Sequence, residues 1–121
     1  MNKIHLKDIN EMIFPTGRKT KVLIGADSPV KAEHFTLGHV VIEPGGLVPK
    51  HKHFQEEVYY IIEGKGEIEL DNNIHNIEAG DAIYIESNVS HELVNIGDEN
   101  MIMMFVYSPA GIVDHWDEER K

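Results

Sequence analysis

The sequence predicts an all-β fold, with short strands arranged as a single-domain sandwich or barrel. Short runs rich in β-branched and aromatic residues recur along the chain, and each ends near glycine, proline or asparagine. This regular alternation of strands and turns is typical of β-sandwiches and barrels. Helical patterns are scarce, and 121 residues suffice for one ordinary domain but not for two.

The first half of the chain supplies three predicted strands after a short helical segment. Apolar residues at helical spacing within residues 5–13 predict one or two helical turns. Strands are predicted at 20–24, followed by a glycine, at 35–43, followed by Pro-Gly-Gly, and at 58–62, followed closely by Gly-Lys-Gly. These turn signals divide the region into short segments.

The second half of the chain begins with a predicted hairpin. Residues 67–70 alternate polar and apolar side chains, as a half-buried strand does, and 74–77 return after an Asp-Asn-Asn turn. Asparagine tolerates the positive φ that such a tight turn requires. Further strands are predicted at 82–85, 92–96 and 101–107.

Composition and charge argue against several classes of protein. The 21 acidic and 11 basic residues give a formal net charge of −10, which disfavours binding to nucleic acids and acidic membranes. No apolar run approaches the ~20 residues of a membrane span, and the N-terminus has no signal-peptide core, so a cytoplasmic location is expected. The absence of cysteine excludes disulfides, thiol catalysis and thiolate metal sites.

Three histidines and a glutamate are candidate metal ligands. His51 and His53 are two residues apart, so both side chains point to the same face if they lie on a strand. Glu57 begins the next predicted strand, and His91 follows the turn at 87–90. Three imidazoles and one carboxylate suit Fe, Mn, Ni, Zn or Co rather than Ca or Mg. A His-x-His pair alone is more often part of a solvent-facing edge strand. The spacing of the surrounding residues therefore decides between a metal site and a surface position.

The wider spacing contains two motifs in order, with the predicted hairpin between them. The first consists of Gly45, His51, His53, Glu57 and Gly64, and the second of Gly80, Glu86, Asn88, His91 and Asn95. Together they resemble the two motifs of the cupin superfamily. The second motif departs from the family pattern where Glu86 replaces the usual proline and Asn88 the usual glycine. Asn88 can still adopt the left-handed conformation of a turn, and neither departure removes a ligand.

The resemblance implies a small single-domain cupin, a jelly-roll β-barrel of the cupin 2 type. In this family the two histidines and the glutamate of the first motif and the histidine of the second bind one divalent metal inside the barrel. Carried over by position, those ligands are His51, His53, Glu57 and His91, and the metal is Fe, Mn, Ni, Zn or Co. Glu56, the nearest competitor of Glu57, would point to the opposite face of the strand.

We predict a cupin barrel at residues 35–108 with a flanking segment on each side. Residues 1–34 are expected to form an N-terminal arm and an edge strand that packs on the barrel. Residues 109–121 form a charged C-terminal tail, in which Trp116 is the one large anchor.

Four further side chains are candidates for the cavity around the metal. Tyr59 shares a face with Glu57 and is a tentative catalytic residue, as a hydrogen-bond donor or general acid; a packing role in the core is the alternative. Tyr107, His39 and Gln55 are the other candidates, although an outer surface suits His39 equally well. On the last strand, either the odd-numbered or the even-numbered side chains could face inward.

The implied function is that of a metal-dependent enzyme acting on a small organic molecule. Related cupins include dioxygenases, decarboxylases, isomerases and lyases, and the sequence does not choose among them. The alternative is a non-catalytic barrel that binds or senses a small-molecule ligand. A homodimer is also expected, because Val58, Tyr60 and Ile62 place apolar side chains on an outer face, and strand 20–24 could pair with a neighbouring subunit.

Overall fold

The structure is a computed structural model that describes residues 2–111, and it consists almost entirely of antiparallel β-strands. The single helical element is one turn of 3-10 helix at Leu6–Asp8 within that range. This architecture confirms the predicted all-β fold class. The strands are β1 (Met12–Phe14), β2 (Arg18–Gly25), β3 (Val30–Lys31), β4 (Thr36–Ile42), β5 (Leu47–His51), β6 (Glu56–Glu63), β7 (Lys65–Leu70), β8 (Asn73–Glu78), β9 (Ala82–Ile85), β10 (His91–Asn95) and β11 (Met101–Ser108).

Two sheets enclose one hydrophobic core. In the larger sheet the strand order is β1-β2-β4-β11-β6-β9, with the short β3 beside β2. In the smaller sheet the order is β5-β10-β7-β8. Ile61 and Phe105 from the larger sheet and Ile68 and Leu93 from the smaller one belong to a single buried cluster. Two sheets that share a core in this way form a jelly-roll barrel. No helix within residues 2–111 is long and apolar enough to cross a membrane.

Each predicted strand overlaps a strand of the structure, and of the one or two helical turns expected within residues 5–13 one is present. That segment contains only the single 3-10 turn and then enters β1, where Met12 pairs with Thr20 of β2. A turn at Gly17, whose φ is +88°, folds β2 back onto β1. Backbone pairing with β2 therefore overrides the helical spacing of the apolar residues.

Strand β11 lies between β4 and β6, and its burial pattern identifies the face that points into the barrel. Its buried side chains are the odd-numbered set: Met101, Met103, Phe105 and Tyr107. Gly38 on β4 leaves room for the Phe105 ring, because a Cβ there would lie 2.2 Å from atoms of that ring. Phe105 in turn stacks on Tyr107, with ring centroids 5.7 Å apart, and so supports the Tyr107 side chain inside the barrel.

The segment predicted at 20–24 has strands of its own chain on both sides. It lies within β2, which pairs with β4 on one side and with β1 and β3 on the other. Thr20 pairs with Met12, and Ile24 pairs with Val30. The chain's own short strands cover both ends of this segment, and the expected edge pairing between subunits stays a prediction.

Asn95, the last residue of the second motif, has a structural role. Its side chain is buried, and its Nδ2 donates hydrogen bonds to the carbonyl oxygens of Ile42 and Glu99. Its Oδ1 accepts a hydrogen bond from the backbone N–H of Gly97. These bonds attach the loop after β10 to the end of β4 and so fix the position of β10 in the barrel.

Positive backbone φ angles occur where the turns were predicted. Asp71 and Asn72 have φ values of 45° and 71° in the hairpin turn, and Asn88 has a φ of 63°. Asn88 also donates its backbone N–H to the carbonyl of His53 at 2.7 Å. The turn of the second motif is therefore attached directly to the first motif.

The division into arm, barrel and tail stays a prediction. Strands β1, β2 and β3, all within residues 1–34, join the larger sheet. The tail after Gly111, including Trp116, lies outside the described residues.

Candidate metal centre

Four side chains from three strands and one loop meet at the inner face of the barrel. His51 ends β5 and His91 begins β10, and these two residues pair across the smaller sheet. Glu57 is the second residue of β6, and His53 lies in the loop between β5 and β6. One potential ligand atom from each of the four residues lies within 4.8 Å of those of the other three. The structure thus brings together the four residues that the motifs single out.

His53 reaches this cluster by a different route from the expected one. The prediction placed His51 and His53 on one strand, but β5 ends at His51. The His53 backbone is held in the loop by its hydrogen bond from Asn88, and its ring centroid lies 5.4 Å from that of His51. Tertiary hydrogen bonding, rather than strand alternation, therefore orients this side chain.

A backbone carbonyl orients each imidazole ring of the cluster. In all three histidines, Nδ1 lies within hydrogen-bonding distance of a carbonyl oxygen two residues away. Because a carbonyl oxygen only accepts, Nδ1 carries the proton and donates it. The lone pair of a neutral ring is then on Nε2, which is how proteins commonly orient metal-binding histidines. The pairs are His51 with Pro49 at 2.6 Å, His53 with Gln55 at 3.0 Å and His91 with Val89 at 2.9 Å.

The Glu57 carboxylate lies between two of these Nε2 atoms. Its Oε1 is 3.2 Å from Nε2 of His53 and 3.5 Å from Nε2 of His91. Burial by itself would raise the pKa of Glu57, but hydrogen bonds and charge from the two histidines hold it below its usual value. Burial alone would lower the pKa of His53, whereas its hydrogen bond to Glu57 and the Glu57 charge raise it. Glu57 and His53 therefore each favour the charged form of the other.

His91 gives the clearest indication of whether the cluster fits a metal ion. Its side chain is 1% exposed, and its Nε2 makes no hydrogen bond of normal geometry among the described residues, with Oε1 of Glu57 3.5 Å away. Burying a polar atom without a well-formed hydrogen bond is costly, and a cation at the cluster would satisfy it. Three imidazole nitrogens and one carboxylate suit Fe, Mn, Ni, Zn or Co. The residues present therefore fit a divalent transition metal.

Alternation along β6 separates Glu57 from its competitor Glu56. Glu56 is exposed and accepts a hydrogen bond from the hydroxyl of Tyr84, whereas Glu57 is buried. Tyr59 and Ile61 are buried on the same side as Glu57, as the spacing predicts.

Two tyrosines lie beside the cluster. The ring centroid of Tyr59, which is buried, lies 6.2 Å from that of His91. Tyr107 is the in-register neighbour of Glu57, and its ring centroid lies 6.4 Å from that of His53. The Tyr107 hydroxyl donates to the carbonyl of Gly111. Burial, reinforced by the charge of Glu57, raises the pKa of Tyr107, so its hydroxyl keeps its proton at neutral pH.

The structure separates the remaining two cavity candidates. His39 lies on the outer face of β4, in register with Lys21 and Met104, and is not part of the cluster. Burial and the charge of Lys21 lower the pKa of His39. Gln55 is buried, and within the described part of the chain its side-chain oxygen has no hydrogen-bond partner. Of the two, only Gln55 remains a candidate for ligand contact.

Sequence analysis missed a cavity of about 410 Å³ close to the cluster. It lies between the N-terminal arm, the loop after β2 and the adjoining ends of β4 and β11. Tyr107 lines this cavity and is also the in-register neighbour of Glu57. No local pattern predicts the cavity, because its walls come from opposite ends of the chain.

Together these features define a class of protein: a jelly-roll barrel with a cluster of three histidines and one glutamate on its inner face. The family model described as the cupin domain matches residues 38–107, a range that contains the whole cluster. The chain belongs to the cupin family, and residues 2–111 form a small cupin barrel.

Relatives of this chain are similar over part of their length. An uncharacterised protein of Methanocaldococcus jannaschii is 39% identical over 64 residues, which cover 52% of this chain and 51% of that protein. Polyketide synthase CurC of Streptomyces cyaneus is 32% identical over 91 residues, which cover 74% of this chain and 55% of CurC. The chain therefore spans about half the length of these curated relatives. A solved structure of Lactobacillus farciminis oxalate decarboxylase in complex with formate is 29% identical, with a TM-score of 0.80, and the match covers 89% of this chain and 33% of that one.

Proposed function

We propose that this cupin binds one divalent transition metal ion and uses it to catalyse a reaction of a small organic molecule. The ligands are His51, His53, Glu57 and His91. The observation that carries the proposal is the convergence of the four side chains, in which each Nδ1 is bound to a carbonyl and Nε2 of His53 and of His91 faces Glu57. The buried Nε2 of His91, which makes no hydrogen bond of normal geometry, also supports it.

The residues around the cluster have distinct proposed tasks. When bound, the metal supplies Lewis-acid or dioxygen chemistry at an oxygen of the substrate. Glu57 contributes the negative charge of the ligand set, and the buried core behind it excludes water from that side. Tyr59 is the proposed catalytic residue, a hydrogen-bond donor or general acid beside His91. The likeness to an oxalate decarboxylase and to a polyketide synthase protein supports an organic substrate.

The second candidate function is a non-catalytic barrel that binds or senses a small molecule. The cavity of about 410 Å³ favours this candidate, because a cavity of this size is sufficient for binding a small molecule even when no reaction follows. Turnover distinguishes the two candidates.

The first experiment combines elemental analysis with a substrate screen. We expect protein purified without chelator or nickel resin to contain about one equivalent of a first-row transition metal. Metal-loaded protein is then incubated with keto acids, diketones, phenols and sugar phosphates while dioxygen uptake, carbon dioxide release and isomer formation are measured. We expect one of these classes to react, and His91→Ala to abolish the reaction because it removes a ligand.

The outcomes of this screen separate the proposals. Full metal occupancy without turnover of any class favours the binding barrel. A protein that neither contains nor takes up a transition metal contradicts both the metal site and the enzyme proposal. Tyr59→Phe should retain the metal and lose turnover if Tyr59 acts on the substrate.

We also propose that two copies of the chain pair through the outer face of the larger sheet. Val58, Tyr60 and Val106 are 38%, 48% and 38% exposed, although they lie on central strands. Val58 pairs with Val106 on one side and with Tyr84, which is 55% exposed, on the other. A contiguous apolar patch of this kind suits burial against the same patch of a second copy of the chain.

Light scattering at micromolar concentration tests this pairing, and we expect the mass of a dimer. Tyr60→Glu should shift the protein to the monomer, because it places a charge in the centre of the patch. Ile74→Glu, at an exposed position on the smaller sheet, is the matched control and should remain dimeric. A monomeric mass for the unmodified protein refutes the proposal.

A further inference from the structure

The cavity beside the cluster has the size and lining of a site for an organic molecule. Its volume of about 410 Å³ lies within the range of small-molecule sites, roughly 300–1,000 Å³. Ile9 and Met12 of the arm form one apolar wall, and Val22 and Pro29 form another. The arm therefore acts as one wall of an internal space.

One buried hydroxyl group in this cavity makes no hydrogen bond of normal geometry. Thr36 is 2% exposed and lines the cavity, and among residues 2–111 its Oγ1 has only a contact with Tyr107, which lowers the pKa of that tyrosine. Ser28, which is 7% exposed, lies on the same wall: a Cβ on Gly25 would be 3.1 Å from Thr36 Oγ1 and 3.5 Å from Ser28 Oγ. A buried hydroxyl without a well-formed hydrogen bond is costly, and a polar group of a ligand would supply one.

The charges around the cavity restrict the ligand. Asp8 and Asp27 are exposed and line its rim, and none of the described lining residues is a lysine, arginine or histidine. Lys31 donates a hydrogen bond to the carbonyl of Ala26 but does not line the cavity. A ligand carboxylate or phosphate would meet two negative charges and no positive one, in a protein whose net charge is −10.

A row of in-register residues connects the cavity to the cluster. Thr36 on β4 pairs with Tyr107 on β11, and Tyr107 pairs with Glu57 on β6. Since Thr36 and Tyr107 line the cavity and Glu57 belongs to the cluster, Tyr107 forms the wall between the two.

We propose that this cavity binds the apolar body of an uncharged or cationic organic molecule, which hydrogen-bonds to Thr36 and contacts Tyr107 on the side of the cluster. Naming this molecule as the substrate rests on the proposed function. The binding itself does not, because the cavity is built from residues other than the four ligands.

Three naphthalene probes that differ only in charge test the inference. Neutral 2-naphthol, cationic 2-(aminomethyl)naphthalene and anionic 2-naphthoate are titrated at pH 7.5 into the full chain by calorimetry. Chelator is present so that a carboxylate gains no affinity from a metal. We expect the neutral and cationic probes to bind at least about tenfold more tightly than 2-naphthoate, because the rim is acidic. Equal or tighter binding of 2-naphthoate overturns the proposed ligand class.

Cavity-filling variants locate the binding. Val22→Phe and, on the arm, Ile9→Trp should each weaken 2-naphthol binding at least about tenfold, because the added rings occupy the cavity. Thr36→Val should weaken it by a smaller factor, about fivefold, through the lost hydrogen bond. Ile74→Phe, on the exposed face of β8, is the control and should bind normally. Unchanged binding in a folded Val22→Phe or Ile9→Trp protein contradicts the assignment to this cavity.

Zinc uptake by the unmodified protein separates this inference from the proposed function. If the unmodified protein takes up zinc but binds no probe, the cavity is rejected as a site. Normal probe binding with no zinc uptake rejects the metal centre and leaves the cavity assignment supported.

Discussion

Replacement of His51 by alanine is expected to abolish the rise in melting temperature that zinc gives to the unmodified protein. A metal stabilises the folded state only by binding to it, by about 2.7 kcal/mol at a hundredfold excess over Kd. His51 supplies one of four ligand atoms, and its ring centroid lies 4.1 Å from that of His91. Loss of a ligand should lower the affinity by more than the roughly 10–100-fold that follows loss of a ligand's hydrogen-bond partner. Thermal denaturation with and without zinc measures the effect.

His75→Ala is the matched control for this experiment. His75 lies on the exposed face of β8, where it pairs with Ile68 and takes no part in the cluster. The substitution removes the same kind of side chain from the same sheet but leaves all four candidate ligands in place. The rise in melting temperature with zinc should therefore persist. If His51→Ala keeps the full rise, the metal is not bound where we propose.

The candidate ligands could be predicted because their spacing in the sequence carries the information. Strand alternation assigns Glu57 rather than Glu56 to the interior, and the structure has this arrangement. The position of His53 could not be derived in the same way. It depends on a hydrogen bond between its carbonyl and Asn88, a contact between residues far apart in the chain.

The alternation of side chains along a strand does not always identify the buried face, as β11 illustrates. Alternation predicts that Phe105 and Tyr107 share a face. It does not predict which face is inside, because both sets of side chains on this strand are apolar. Packing against Gly38 and against the smaller sheet decides the question. The cavity could not be predicted for a related reason: the arm that forms one wall was expected to be partly helical, and its path depends on the pairing of β1 with β2.

The affinity for zinc is expected to fall steeply as the pH decreases, because the proton on His53 competes with the metal. Burial by itself would lower the pKa of His53, but Glu57 raises this pKa above its ordinary value of 6.5. Without metal, the stability from this raised pKa is fully present below pH 6.5 and is lost as the pH rises through the higher folded value. The lowered pKa of Glu57 stabilises the fold above its ordinary value of 4.5, and this contribution is lost as the pH falls through the lower folded value.

The metal-free protein therefore gains most from the Glu57–His53 pair between about pH 4.5 and 6.5, whereas the metal-bound protein needs neutral imidazoles and gains most above that range. Each proton displaced lowers the affinity about tenfold per pH unit below the pKa of its group. Competition with a chromophoric chelator should thus show zinc affinity falling at least about 100-fold between pH 8 and pH 5.5. In Glu57→Gln, the overall affinity should be weaker and the midpoint of the decline should move to lower pH, because the charge that raises the pKa of His53 is gone. A zinc affinity that stays constant over this range would show that the metal is bound by groups other than these imidazoles.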